Sequence, residues 1–308
     1  MKNKVAKIFL MMIVVFSLTG CTKYIKDGKK IVKNELTGQN LAKNILCQPE
    51  DEETRKTYEK YEINLDELPK CTNLSYQKTK YDGVWSTVFV KTLAIIIVKV
   101  GELTKNYGIA IILLTLLIRL LLFPVTQKTA LQSENMKLAK PELDKLEKKY
   151  KDKTTKEDMM KKRQEMMMIY KKYNINPMSG CIFALIQIPL FFAYLEAMNR
   201  LPAIFEENFL GLQLGTSPLV AIQNGKYYYI ILVILVAVVT YFSFKLNKTA
   251  AMGAEQEKQM KMMSNMSVIF ITFAAISMSA GIELYWIANS GFTVLQNLIV
   301  KKVKKNDK

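Results

Sequence analysis

The chain has 308 residues, half of them hydrophobic, and a formal net charge of +17. It contains no histidine, no G-x-x-x-x-G-K-[ST] loop and no G-x-G-x-x-G motif, so nothing in it indicates nucleotide hydrolysis, an imidazole-bound metal or another cofactor. Apolar runs of about 20 residues alternate with lysine-rich segments, which is typical of a membrane protein with several spans.

Residues 1–20 have the features of a lipoprotein signal peptide. Three lysines precede an apolar stretch at 8–18, which is too short for a typical span. The stretch ends in Leu-Thr-Gly-Cys, which resembles the lipobox of bacterial lipoproteins. We therefore expect lipidation of Cys21, as the palmitate-bearing first residue of the mature chain. An ordinary cleavage site or an uncleaved anchor is the alternative.

Residues 21–83 are predicted to be an extracellular segment. From residue 22 onward it is polar and almost balanced in charge, with 12 Lys or Arg against 11 Asp or Glu. We expect a small helical segment, with the acidic cluster at 50–53 at or near a helix start. Cys47 and Cys71 both fall in this segment, and the sequence leaves open whether they form a disulfide or two free thiols.

Residues 84–104 are predicted to form an interfacial helix. The run at 84–100 is apolar enough to span, but Lys91 and Lys99 lie about 80° apart on a helical wheel and give it one polar edge. If this helix does not span, 105–125 crosses inward and the segment 126–177 is cytoplasmic. That segment has a net charge of +6, from 14 Lys or Arg and 8 Asp or Glu, as the positive-inside rule requires.

The expected fold class is all-α. We predict a polytopic membrane protein with five transmembrane helices around a hydrophilic groove that is open to the cytoplasm, and a cytoplasmic helical hairpin. Residues 178–300 hold the four further spans, and a tight turn at 281–283 joins the last two. A basic cytoplasmic tail, 301–308, ends the chain. The five predicted spans are 105–125, 178–198, 227–245, 264–281 and 283–300.

Arg119 lies inside the apolar run of the first predicted span. A cation at such a depth costs between about 3 and 10 kcal/mol, depending on how it reaches water. A wet cavity lined by the span would accommodate the charge. The alternative is snorkelling, because Arg119 precedes Thr126 by seven residues, about 10 Å along a helix.

The cytoplasmic segment 126–177 shows two arms, each with a narrow apolar stripe at helical spacing. Thr154 and Glu157 between them fit a capping box. A solvated hairpin without a partner and a docking arm for a moving substrate, the ribosome or anionic lipid are equally compatible with this pattern. The stripes consist of Ala139, Leu143, Leu146 and Tyr150 on the first arm and Met159, Met166, Ile169 and Tyr173 on the second.

The order of these parts resembles the YidC membrane-protein insertase family, in its five-span lipoprotein form from Gram-positive bacteria. The resemblance covers about 84–300 and does not extend to 22–83. It is carried by motifs that are specific together and weak singly. These motifs are NYGIAIILLTLLIR at 106–119, LFPVTQK at 122–128, NPMSG at 176–180, QIPLFF at 187–192 and LYW at 284–286.

The resemblance implies a non-enzymatic insertase and assembly chaperone in the bacterial cell membrane. Arg119 matches the groove arginine, which attracts acidic residues of an incoming segment. Gln187 and Trp286 are candidate groove positions, and Gln296 is added because it is polar within the last span. The implied partners are nascent membrane proteins, the lipid bilayer, the ribosome and the Sec translocon, with no sequence-specific nucleic acid.

Other interpretations remain open from the sequence. Gln187 could bridge helices by a hydrogen bond, and Trp286 could be an aromatic anchor at the membrane interface. At the level of the whole chain, a polar groove open to lipid would also suit a lipid scramblase or small-solute transporter. A lipoprotein scaffold with an active outer segment is a further alternative.

Overall fold

The protein is described by a computed structural model that covers residues 22–176, 179–246 and 254–306. The predicted signal peptide and Cys21 lie outside the described residues. The described part is mostly helical, as expected for the all-α class, and it also contains two short antiparallel hairpins. One pairs Lys26–Asp27 with Lys30–Ile31, and the other pairs Asn208–Phe209 with Leu212–Gln213.

The helices are numbered here in chain order. They are α1 Glu52–Lys60, α2 Gly83–Thr104, α3 Tyr107–Leu121, α4 Phe123–Lys149, α5 Lys156–Lys172, α6 Ser179–Asn199, α7 Pro202–Phe205, α8 Pro218–Gln223, α9 Ile230–Leu246, α10 Ala254–Ala275 and α11 Ala280–Asn306. Two compact units share them. The first comprises the described parts of 1–115, 188–233 and 275–285, and the second those of 116–187, 234–274 and 286–308.

The outer segment, residues 22–83, is less helical than predicted. Its first hairpin turns at Gly28, which has a φ of +58°, a conformation that glycine adopts without a steric penalty. The acidic cluster does mark a helix start, as predicted. Asp51 caps α1 by accepting a hydrogen bond from the Thr54 backbone N–H at 2.7 Å. The next two acidic residues lie in the first turn of the helix, where their negative charges interact favourably with the positive end of the helix dipole.

The outer segment has an apolar core that also includes Phe205, the last residue of α7. The buried members are Ile25, Leu41, Ala42, Ile45, Tyr58, Leu65 and Phe205. The Glu206 carboxylate next to Phe205 accepts the backbone N–H groups of Glu50 and Asp51 at 2.9 and 3.2 Å. Cys47 and Cys71 form a disulfide, which answers the question that the sequence left open.

Helix α2 covers the predicted interfacial segment and includes a π-helical stretch, Ser86–Val90. The two lysines do not form the common polar edge that the sequence predicted, because their environments differ. Lys91 is 3% exposed and donates to the Lys80 carbonyl, whereas Lys99 is exposed. Among the described residues, two helices are long and apolar enough to cross a membrane, Gly83–Thr104 and Tyr227–Leu246, so length and composition alone do not make α2 interfacial.

The first predicted span, 105–125, ends earlier than expected. Helix α3 stops at Leu121, and α4 begins at Phe123 after a bend of 70°. Pro124 lies in the first turn of α4, where its missing N–H is tolerated, whereas a continuous helix would lose a hydrogen bond there. Counted as one bent span, α3 and α4 make a third helix able to cross a membrane.

The turn before the last helix also lies earlier than predicted. It falls between Ala275 and Ala280, so Glu283 lies in the first turn of α11 and not in a loop. The backbone N–H groups of Ala280 and Gly281 donate to the carbonyls of Thr216 and Leu214, both at 2.9 Å. These bonds satisfy donors that a helix start leaves without intrahelical partners.

Helices α4 and α5 pack against each other within the second unit. Ala139, Leu143, Leu146 and Tyr150 are buried in their shared core, as the sequence predicted for the first arm. The second arm is only partly as predicted. Met166 is buried and Ile169 and Tyr173 pack against the core, but Met159 is exposed and Tyr170 is buried in its place. The cap of α5 is Thr155 and not Thr154, because the Thr155 hydroxyl accepts the Asp158 N–H at 3.1 Å.

Candidate functional site

The candidate site is built on one face of α11. Trp286, Asn289, Thr293 and Gln296 recur at three-four-three spacing, which places them on the same side of a helix. Asn289, Thr293 and Gln296 are buried, although the surrounding sequence is largely apolar. Buried polar side chains in a helix of this kind must find partners, because each unsatisfied group costs several kcal/mol in an apolar surrounding (about 2–7).

Arg119 is held by two amide side chains from other helices. Its Nε donates to Asn289 Oδ1 at 2.7 Å, and its Nη2 donates to Gln187 Oε1 at 3.0 Å. The residue is 2% exposed, so the guanidinium is enclosed within the unit. An arginine that only snorkelled toward the inner interface would leave its guanidinium exposed, and this geometry differs from that alternative.

Trp286 and Gln296 contact other neighbours on the same face of α11. Trp286 Nε1 donates to the Thr240 hydroxyl of α9 at 2.9 Å, and Gln296 Nε2 donates to the Thr126 hydroxyl of α4 at 2.9 Å. Both threonines are buried. Three helices, α3, α4 and α9, thus each place a polar group against α11, and α6 contributes Gln187 through its bond to Arg119. All of these residues belong to the second unit.

The structure therefore joins two of the four predicted site residues directly, Arg119 and Gln187. Trp286 and Gln296 lie three residues before and seven residues after Asn289, which links Arg119 to α11. Sequence reasoning missed Asn289, although an amide at helical spacing between Trp286 and Gln296 was an available signal. Thr126 and Thr240 gave no such signal, because isolated threonines are common in membrane helices.

The donors of Arg119 make this arrangement suited to an anion. Arginine stays charged in proteins, and its planar fork matches the two oxygens of a carboxylate. Asn289 and Gln187 offer neutral amide oxygens to Nε and Nη2. A carboxylate would bind the same donors more strongly, because it adds the attraction of a full negative charge where the present acceptors are neutral amide oxygens.

Comparison with known proteins identifies a matching family model and several relatives that are named membrane protein insertases. The family model described as 60Kd inner membrane protein matches residues 99–308. The chain is 37% identical over 225 residues to the membrane protein insertase MisCA of Bacillus subtilis, covering 72% of this chain and 82% of that protein. It is 34% identical over 241 residues to the membrane protein insertase YidC of Oceanobacillus iheyensis, covering 76% and 91%.

A solved structure is also similar, at lower identity. It is titled as an active YidC insertase crystal structure with the first transmembrane domain resolved, with 21% identity and a TM-score of 0.44. The match covers 79% of this chain and 52% of the solved chain, so this chain spans about half the length of that one.

Proposed function

The chain belongs to the family of 60Kd inner membrane proteins, and from this membership we propose that it is a membrane protein insertase and assembly chaperone. In this proposal it receives hydrophobic segments of nascent membrane proteins in a groove and releases them into the bilayer. Its relatives carry the name of insertases and not of enzymes.

The observation that carries the mechanism is the enclosure of Arg119 by Asn289 and Gln187. We propose that an acidic residue near the incoming segment displaces these amides and pairs with the guanidinium. The pairing lowers the cost of bringing a carboxylate into the membrane, which is otherwise several kcal/mol (about 3). Because the amides are neutral, they can return to Arg119 once the carboxylate has passed, and the site is reset.

The proposed topology has five spans, carried by α3, α6, α9, α10 and α11, with the mature N-terminus outside. The length and apolarity of Tyr227–Leu246 support the third span, and the bent pair α3 and α4 supports the first. We keep α2 at the outer interface, because a span there would place the lysine-rich segment 126–177 outside, against the positive-inside rule.

The groove would be wet from the cytoplasm and closed on the outer side. A polar client tail enters part of the way, and its apolar segment then moves sideways into lipid. Burial of about 20 apolar residues in the bilayer supplies the free energy, so no nucleotide is required. Helices α4 and α5 would form the cytoplasmic hairpin, which together with the tail 301–308 is the proposed contact for the ribosome. The Sec translocon is the proposed partner for larger clients.

The anchor of the mature N-terminus is part of the same proposal. Lipidation of Cys21 would hold the outer segment at the outer leaflet, where the disulfide between Cys47 and Cys71 suits an oxidising exterior. In this proposal the transmembrane helices already hold the chain in the membrane. We therefore expect the lipid on Cys21 to orient the outer segment and not to determine membrane localisation.

Reconstitution into proteoliposomes tests the role of Arg119. We expect the wild-type protein to protect the acidic outer tail of a small single-span client from added protease. Arg119→Ala should lower this protection at least tenfold, because a pairing of about 1.4 kcal/mol or more is lost. Arg119→Lys should retain an intermediate level, since it keeps the charge without the fork. A client whose tail carries glutamine instead of acidic residues should be affected much less.

Arg163→Ala is the matched control, because Arg163 is an exposed arginine on α5 and its removal changes the net charge equally. Equal protection by wild type and Arg119→Ala would show that the arginine is dispensable for that client. If no variant protects the tail while a known insertase does, the chain does not act alone, and the same vesicles can be assayed for lipid headgroup transfer.

A further inference from the structure

Charge is divided unevenly within the outer segment. Residues 22–49 have six lysines against two acidic residues, Asp27 and Glu35, whereas 50–67 have three Lys or Arg against eight Asp or Glu. The near balance of the whole segment therefore conceals a basic part, which begins directly after Cys21, and an acidic part around α1. The six lysines of the basic part are exposed. Like charges gathered on one surface attract an anionic partner.

The first hairpin separates these charges between its two faces. Lys26 pairs with Ile31 across the hairpin, so these two side chains lie on the same face. Asp27, the next residue, belongs to the opposite face, where its Oδ2 accepts the Tyr61 hydroxyl at 3.1 Å. The acidic residue of the hairpin is therefore directed away from Lys26 and Ile31.

Lys33 continues the face that carries Lys26 and Ile31. The Val32 N–H donates to the Ile25 carbonyl at 2.9 Å, which extends the register of the hairpin by one pair. Ile25 and Val32 both face the apolar core of the outer segment, so Lys33, one residue further, faces the other way. We call Lys26, Ile31 and Lys33 the basic face. Both lysines are exposed, and Ile31 is 38% exposed. In the part of the chain that the structure describes, the ion pairs of the outer segment include neither lysine.

The basic face looks toward the outer end of α6. Tyr24 precedes Lys26 by two residues and therefore shares its side of the strand. Burial, and next the negative charge of Glu196, raise the pKa of Tyr24, which indicates that the Tyr24 side chain lies toward that end of α6. The neighbouring segment is tied to the same helix end, because Arg200 Nε donates to the Asn44 carbonyl at 2.7 Å. In the proposed topology this end of α6 lies at the outer surface of the bilayer.

We propose that the basic face binds the phosphates of anionic lipid in the outer leaflet. Ile31 then lies at the level of the headgroups, between two lysines whose stems cover apolar surface while their ammonium groups reach phosphate. The inference rests on the proposed function in taking the end of α6 as the outer one. The proposed lipid on Cys21 would add a tether, because Lys26 follows Cys21 by five residues, at most about 18 Å of extended chain.

Lipid is favoured over a soluble anionic partner, because the basic face is directed toward the end of a span. The acidic helix α1 lies on the other side of the hairpin, since its Tyr58 is buried in the core that Ile25 and Val32 face. The negative charge of α1 is therefore kept away from an anionic leaflet. Glu35 lies outside the face, in the turn whose Gly38 packs on α8.

Fluorescence quenching in vesicles tests the position of the basic face. The full chain, with Cys181→Ser, would carry an environment-sensitive label at Ile31→Cys. The disulfide between Cys47 and Cys71 is buried and does not take the label. A trace of phosphatidylcholine, spin-labelled at its headgroup, is present in both leaflets, so the orientation of the chain does not affect the readout. One set of vesicles contains phosphatidylglycerol, and the other is purely zwitterionic. A label at Glu53→Cys, exposed on α1, marks the acidic side.

We expect quenching at Ile31 to be roughly threefold greater with phosphatidylglycerol than without it, and to fall toward the zwitterionic level in about 0.5 M salt, which screens charges. Lys26→Gln combined with Lys33→Gln should abolish the difference between the two sets of vesicles. Lys56→Gln combined with Lys70→Gln is the matched control. It removes the same charge from two exposed lysines of the outer segment and should leave the difference unchanged.

Equal quenching at Ile31 in the two sets of vesicles would overturn the inference, and so would an equal loss in the control pair, which would report net charge alone. Quenching at Glu53 as strong as at Ile31 would also overturn it, since the hairpin would then have no preferred direction. The mass of the N-terminal peptide shows whether Cys21 carries lipid and so takes no label. Loss of client protection in the same vesicles, with the expected quenching, would contradict the proposed function but support the inference.

Discussion

Two buried arginines show how differently this chain accommodates a charge. Arg119 donates to neutral amides, whereas Arg200 lies among acidic and carbonyl groups of the first unit. Its Nη1 bonds Glu196 at 3.0 Å, its Nη2 bonds Asp82 at 2.8 Å, and its Nε bonds the Asn44 carbonyl at 2.7 Å. In the proposed function an anionic partner displaces the neutral amides around Arg119, whereas Arg200 already has its anions and is a structural anchor.

Replacing Arg200 should destabilise the first unit. In Arg200→Met the Glu196 carboxylate stays buried and keeps only the Trp85 Nε1–H, 3.1 Å away, among the contacts described here. Removing one partner of a buried ion pair costs about 3–5 kcal/mol. We expect a clear fall in the midpoint of thermal unfolding in detergent, while Arg163→Met, at an exposed position, should leave it within a degree or two. An unchanged midpoint in Arg200→Met would show that the anchor is dispensable.

At the scale of elements, two carboxylates, one on each helix, accept hydrogen bonds across the interface between α4 and α5. Glu142 on α4 accepts hydrogen bonds from Lys172 and Tyr173, and these hold the pKa of its carboxyl below the usual value. Glu165 on α5 accepts in the same way from the neighbours Lys149 and Tyr150, with the same effect on its pKa. Each helix therefore gives one carboxylate and one lysine-tyrosine pair.

The lowered pKa values predict acid sensitivity of this helix pair. A carboxyl whose pKa is lower in the folded state stabilises the fold above its unfolded pKa, here about 4.5, and the stabilisation is lost as pH falls through the folded value. Hydrogen exchange of peptides from α4 and α5, corrected for the intrinsic effect of pH, should show less protection at pH 3.5 than at pH 7.

Glu142→Gln combined with Glu165→Gln should remove most of this pH dependence, because neither amide titrates. Glu157→Gln is the control, since Glu157 lies near the start of α5 and pairs with Lys161 within the same helix. If the double variant keeps the full acid sensitivity, other carboxyl groups are responsible for it.

At the scale of the whole molecule, the outer segment is part of the first unit and not an appendage. Its core includes Phe205, and Glu206 and Arg200 bond to its backbone. Gly38 packs on Val220, which leaves no space for a Cβ without displacing the valine. Deleting 22–83 would therefore not distinguish an insertase from a scaffold with an active outer segment, because the deletion would remove partners of buried groups and lower stability as well as any activity of the segment.

The disulfide allows a more selective test of this segment. Cys47 and Cys71 are 24 positions apart, and closing a loop of that length stabilises a fold by about 3–4 kcal/mol in the chain-entropy estimate. We expect Cys47→Ser combined with Cys71→Ser to lower the thermal midpoint of the full chain. A reductant should lower the midpoint of the wild type and leave that of the double variant unchanged. Insertion activity at low temperature should be retained if the segment is only structural.

Much of this protein could be predicted from local patterns in the sequence. Apolar length, the placement of lysines and the position of Arg119 indicated membrane-spanning helices and a polar site, because burial in lipid acts on each segment separately. The buried stripe of α4 and the acidic start of α1 followed from helical periodicity and capping in the same way.

Only the tertiary structure decided which groups meet. Arg119 finds Asn289, 170 positions away, and Gln187, 68 positions away, and no local pattern specifies such pairs. The pairing of Cys47 with Cys71 was likewise settled by the tertiary structure. The physical reason is that a buried hydrogen bond or disulfide depends on the distance and direction between two groups in space. Helical periodicity does not fix these quantities, because sequences with the same periodicity can bring different pairs of residues together.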